Sequence, residues 1–202
     1  MFRNAPVSLS VAGACLLLAC AGEPLASSLA WERGAILHGE MWRLWSGHLV
    51  HYSASHGAAD ALALLASGML AEPLVGSRRF AMILLAGAVL ISLGLLACAP
   101  LLTGYRGASG LAMLTAALAG VLLWRRRPAA RWLIGGVGLA LVAKMLGDAG
   151  GHAHTLADLP AGVAVSWQAH LMGAVLGVGG AVWIERRTFD RTADGPPANM
   201  VM

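Results

Sequence analysis

The stretch FAMILLAGAVLISLGLLACAP, Phe80 to Pro100, holds no charged residue. It is long enough to cross the hydrocarbon core of a bilayer as one helix, which takes roughly 17 to 25 residues. Working outward from it, apolar runs of similar length recur on both sides, and the spans read as approximately 6–22, 55–74, 80–100, 107–124, 132–148 and 163–184. Composition agrees, since 58% of the 202 residues are apolar and only 12% are charged. The mean hydropathy is +0.70. A soluble domain of this length would carry polar residues along one face of every helix, which these runs lack. The expected fold is therefore all-α: one bundle of six transmembrane helices over residues 1–186. A polar tail with Pro196 and Pro197, residues 187–202, is expected to be disordered.

The basic residues set the orientation. Arg3, the Arg78-Arg79 pair, Arg125 to Arg127 with Arg131, and Arg186, Arg187 and Arg191 all fall on one side of the six-span arrangement. Positive charge inside makes that side cytoplasmic, with both termini on it. The loops 23–54, 101–106 and 149–162 then face outward. They contain Arg33, Arg43 and Arg106, so the rule acts as a bias. The first outward loop also carries Trp31, Trp42 and Trp45, residue types that favour the membrane–water interface, and it is too apolar for a free linker. Trp42 and Arg43 are expected to anchor it there.

The net charge of +4 raises the question of nucleic acid. The arginines sit in short clusters between spans, where orientation signals belong, so no nucleic-acid partner is expected. Cys15, Cys20 and Cys98 lie in or beside apolar runs, with neither metal-ligand spacing nor a disulfide framework. Leu17-Leu18-Ala19-Cys20 also resembles a bacterial lipoprotein cleavage site, and cleavage there would leave five spans.

Polar groups inside a bilayer cost free energy and need a partner or a purpose. Several lie at one depth here. Ser109, in Gly107-Ala108-Ser109-Gly110, opens the fourth span from the outside, and His170 lies about seven residues into the sixth. His56 begins the second span, with Asp60 one turn deeper. A serine hydroxyl becomes nucleophilic when a neighbouring base takes its proton, and neutral histidine is the usual base near pH 7. Ser109 and His170 supply that pair. Gly107 and Gly110 leave room for a substrate carbonyl, and the start of a helix offers N–H groups to an oxyanion, with His56 as a second donor. Gly173 and Gly177 share a face with His170 and allow sixth and fourth helices to press together.

Other residues admit plainer readings. Serine in a membrane helix commonly bonds a carbonyl one turn back, and small-residue stripes support packing in any bundle. His48 and His51 read as interfacial loop residues, with a bond from His51 into the loop as an option. Lys144 and Asp148, four apart near the outer end of the fifth span, are spaced for a local ion pair or for snorkelling. His152-Ala153-His154 lacks further ligands, and no motif calls for a metal or cofactor. A second, non-enzymatic function class stays open from the residues: a metal or haem carrier using His48, His51, His56 and His170, or a small-solute permease.

Taken together, Gly107-Ala108-Ser109-Gly110, Ala169-His170-Leu171-Met172-Gly173, and Trp42-Arg43 followed by His51 and His56 resemble the rhomboid intramembrane proteases, over about Trp31 to Gly177. The resemblance implies a six-helix rhomboid bundle, a catalytic Ser109–His170 dyad without a third acid, an oxyanion role for His56, and a membrane-anchored protein as substrate. Two departures stand out. Asp60 replaces an asparagine common in the family, so an ionised side chain there must be neutralised, turned away or bonded to His56. Met113 replaces a frequent aromatic. The compact form, Asp60 and the approach Val165-Ser166-Trp167-Gln168-Ala169-His170 are most similar to the rhombosortase branch, which implies C-terminal Gly-Gly sorting tails as substrates. The Ala, Gly and Leu bias suggests a bacterial origin, so with the orientation read from the basic residues a bacterial inner membrane with a periplasm-facing site is expected. An inactive relative that binds membrane clients is the third function class.

Overall fold

The computed structural model describes residues 5–150 and 166–193. Two short helices, α1 (Pro6–Ala19) and α2 (Glu23–Leu29), lead into a strand β1 (Trp31–Glu32) and the single turns α3 (Arg33–Leu37) and α4 (Arg43–Ser46). Long helices follow: α5 (Ala54–Val75), α6 (Ser77–Cys98), α7 (Ser109–Arg126), α8 (Arg131–Ala149) and α9 (Trp167–Ala193), with strand β2 (Gly104–Tyr105) before α7. Four stretches are long and apolar enough to cross a membrane by length and composition: α5, α6, Pro128–Ala149 and Trp167–Arg187. Helix α1 is apolar but shorter. In α7 the terminal Arg125 and Arg126 dilute an otherwise apolar sequence.

The arrangement follows from local chemistry. Ser53 caps α5 by accepting the His56 backbone N–H at 3.1 Å. Gly76, at φ +84°, turns the chain directly from α5 into α6, a conformation that glycine adopts without steric cost. Helix α7 sits in the middle, packed most extensively on α9 and α5, while α1 covers α5. Glycines set how near the helices come. A Cβ at Gly173 would overlap the Gly110 carbonyl oxygen, and one at Gly177 would overlap that of Leu114, so α9 lies backbone-to-backbone against α7. The buried Glu72 of α5 accepts from Val7 N at 3.1 Å and from Ser8 N and Ser8 Oγ at 2.8 and 2.7 Å, satisfying the N-terminus of α1.

The segment between α1 and α5 is folded, not loose. Strand β1 pairs antiparallel with β2, Trp31 opposite Tyr105. The Arg33 guanidinium donates to the carbonyls of Leu95, Leu96, Ala99 and Leu102 at 2.8 to 3.0 Å and so closes the C-terminal end of α6. Arg43, expected to anchor this segment, is buried within it. It bonds Glu40 at 2.7 Å and the carbonyls of Ser27 and Ala30 at 2.9 and 2.7 Å, because a buried guanidinium needs its donors satisfied.

Several sequence boundaries shift. Helix α9 begins at Trp167 rather than 163, which puts His170 in its first turn instead of two turns in. It also continues to Ala193, past the expected start of a disordered tail at 187. Helix α1 ends at Ala19, short of 22. His152, His154 and the remainder of the tail lie outside the described residues.

Candidate active site

Ser109 is the first residue of α7, and the segment before it is fixed from three sides. Gly107 has φ +137°, donates its N–H to the Gly47 carbonyl at 3.1 Å, and accepts the Tyr105 hydroxyl at 2.6 Å. A side chain there would meet Asp60 Oδ2 at 2.9 Å and the His56 ring at 3.2 Å, so the glycine is needed for the approach of those two residues. Gly110 has a similar role, with the Ala169 carbonyl oxygen 3.2 Å from where a Cβ would stand.

His170 Nε2 lies 2.9 Å from Ser109 Oγ. His170 is buried and Ser109 half-buried, so the pair is shielded yet reachable. The other ring nitrogen, Nδ1, lies 3.1 Å from Asp148 Oδ2. The same oxygen accepts Lys144 Nζ at 2.7 Å. The i,i+4 pair read from the sequence is present, but its carboxylate also reaches the histidine on another helix, which spacing within one helix could not reveal. The available signal was an acid on the fifth span at about the depth of His170.

Asp60 takes a position that the sequence left undecided. Its Oδ2 accepts the backbone N–H of Ala108 at 2.7 Å and of Ser109 at 3.1 Å. His51 Nε2 stands 3.3 Å away and His56 Nε2 3.4 Å away. The N–H groups expected to be open for an oxyanion at the start of α7 are thus already engaged by a carboxylate. His51, in the loop before α5, is part of this cluster and is buried. His48 is buried too, with Nε2 3.0 Å from the Ala88 carbonyl and 3.1 Å from Ser92 Oγ. Burial pushes the His48 ring down to about 4, against the opposing pull of the Ala88 carbonyl. It is neutral at pH 7.

One further row of residues escaped the sequence reading. Tyr52 stacks on His56 with the rings 6.0 Å apart and 3° from parallel, and the Arg106 guanidinium lies 5.1 Å from the Tyr52 ring. Arg106 is held in turn by Glu23 through bonds of 2.9 and 2.6 Å, and its guanidinium keeps the Glu23 carboxyl below the usual carboxylate range. Among the described residues no group of three or more histidine, cysteine, aspartate or glutamate side chains is arranged to hold a metal ion.

Four long apolar helices, with Ser109 and His170 in contact between α7 and α9, fit a helical multi-pass membrane protein. Residues 38–187 match the protein family described as Rhomboid domain, about three-quarters of the chain. The chain belongs to the rhomboid family, whose members are generally intramembrane serine proteases acting on membrane protein substrates. No curated protein matches it.

Proposed function

We propose that the protein is an active intramembrane serine endopeptidase with Ser109 as nucleophile and His170 as general base. The observation that carries this is the 2.9 Å separation of Ser109 Oγ and His170 Nε2, reached from two helices whose glycines bring them into contact. In the acylation step Ser109 Oγ attacks the scissile carbonyl, its proton passes to His170 Nε2, and His170 then returns that proton to the leaving amine. His56, with its ring beside the start of α7, is the side-chain donor best placed for the oxyanion. Asp60 must release Ser109 N–H for the backbone donor to contribute.

In this reading α1, α5, α6, α7, α8 and α9 form a six-span bundle with both termini cytoplasmic and the site toward the periplasmic side of a bacterial inner membrane. The substrate is a membrane-anchored protein, and the rhombosortase-like features favour a C-terminal Gly-Gly sorting tail. The contact of Asp60 with Ser109 N–H supports the rival reading of a client-binding relative without activity. Labelling of the detergent-solubilised protein with a fluorophosphonate serine probe decides between them. The expected result is labelling of the wild type that is lost in Ser109→Ala and His170→Ala, and a folded wild type that does not label overturns the proteolytic reading.

A further inference from the structure

Helix α8 is apolar and exposed along its length, and among its residues only Asp148 is buried. A carboxylate is the costliest group to withdraw from water on such a helix, so its burial calls for a partner. The partners are Lys144 on the same helix and His170 Nδ1 on α9. We infer that Asp148 is the third member of a Ser109–His170–Asp148 relay, a positioning residue that holds His170 with its proton on Nδ1 and Nε2 free toward Ser109. This rests on the reading of Ser109 and His170 as the reacting pair, and it departs from the dyad without an acid that the family resemblance implies.

The geometry fixes the tautomer. Asp148 Oδ2 only accepts, so the His170 nitrogen 3.1 Å from it must be the N–H. Nε2 is then the lone-pair nitrogen, 2.9 Å from the Ser109 hydroxyl it must deprotonate. When that proton moves to Nε2, the imidazolium still directs Nδ1–H at the carboxylate, and no further proton transfer is needed. Lys144 bonds the same oxygen, so the carboxylate's charge is partly offset. Orientation therefore outweighs charge stabilisation in its contribution.

Because a carboxylate could also serve only to latch α8 onto α9, the test must read the histidine itself. Among the described residues, the charged groups acting on His170 are Asp148 and Lys144 from α8 and Asp60 from α5, with Ser109 facing it from α7. Nitrogen-15 spectra of the full-length protein, with His170 assigned through His170→Gln, report tautomer and titration without requiring activity. The wild type should show the Nδ1–H tautomer. Asp148→Asn should lower the His170 titration midpoint by about one pH unit or more, since a counter-charge within bonding distance is lost. Lys144→Gln, at a half-exposed side chain, should raise it. The acid limb of fluorophosphonate labelling should move in the same two directions, with Asp148→Ala labelling at least about 10-fold slower than wild type. An Nε2–H tautomer in the wild type, or a midpoint unmoved in both variants, overturns the relay and leaves a latch. If the wild type does not label but the spectra behave as described, the proteolytic reading fails while the placement of the proton stands.

Discussion

Replacing Gly173 with alanine should uncouple Ser109 from His170 without touching either. The added Cβ would overlap the Gly110 carbonyl oxygen and stand 3.0 Å from the Gly110 carbonyl carbon and 3.2 Å from the Leu114 nitrogen. All three are backbone atoms of α7, so no rotamer change relieves the clash. To reach ordinary van der Waals separation, α9 must retreat by about 1 Å or more at this level. His170 lies one turn earlier on the same face of α9. Its 2.9 Å contact with Ser109 Oγ would then open to about 4 Å, beyond hydrogen-bonding distance. Overpacking of this kind costs roughly 1 to 3 kcal/mol, and a displacement of about 1 Å at a reacting pair can cost on the order of 100-fold in rate. The assay pairs the rate of fluorophosphonate labelling with thermal unfolding in detergent. Gly179→Ala serves as control, because a Cβ there meets nothing within 4 Å. Labelling of Gly173→Ala at the wild-type rate, with an unchanged melting temperature, would refute the idea that glycine-mediated contact sets the geometry.

Two other outcomes test how the protein holds itself together. His48 is buried neutral with its ring pushed down from 6.5 to about 4, so the unfolded chain binds the extra proton first and stability falls as pH drops through that window. Between pH 7 and pH 5 the loss attributable to His48 is about 2 kcal/mol, and it should vanish in a folded His48→Gln protein. Equal acid sensitivity of the two proteins in thermal melts would count against it. Glu72→Ala should strip the acceptor from Val7 N, Ser8 N and Ser8 Oγ in an apolar setting, costing roughly 3 kcal/mol. A melting temperature within a degree or two of wild type would show that α1 does not depend on this cap.

The apolar runs of the sequence determined by themselves that the chain is helical and built for a bilayer, because a backbone in hydrocarbon must satisfy its hydrogen bonds internally, and length and hydropathy read that requirement directly. Ser109 and His170 were legible as candidates, though not their 2.9 Å contact, for a related reason. Polar groups are costly there, so few are present, and two at matching depth from different spans point to each other. Other features are set by contacts between distant parts of the chain. Arg33, Arg43 and Arg106 counted in the sequence as exceptions to the charge rule. Each is tied to carbonyls or to a glutamate, which gives it a structural role where it stands. Asp60 could be read as turned away, protonated or paired, and only the fold shows its carboxylate on the N–H groups of Ala108 and Ser109. Asp148 looked like half of a local pair with Lys144. Its second partner, His170, is 22 residues away in sequence and on another helix, and a contact of that kind arises from how α8 leans on α9, which no periodicity within either helix encodes.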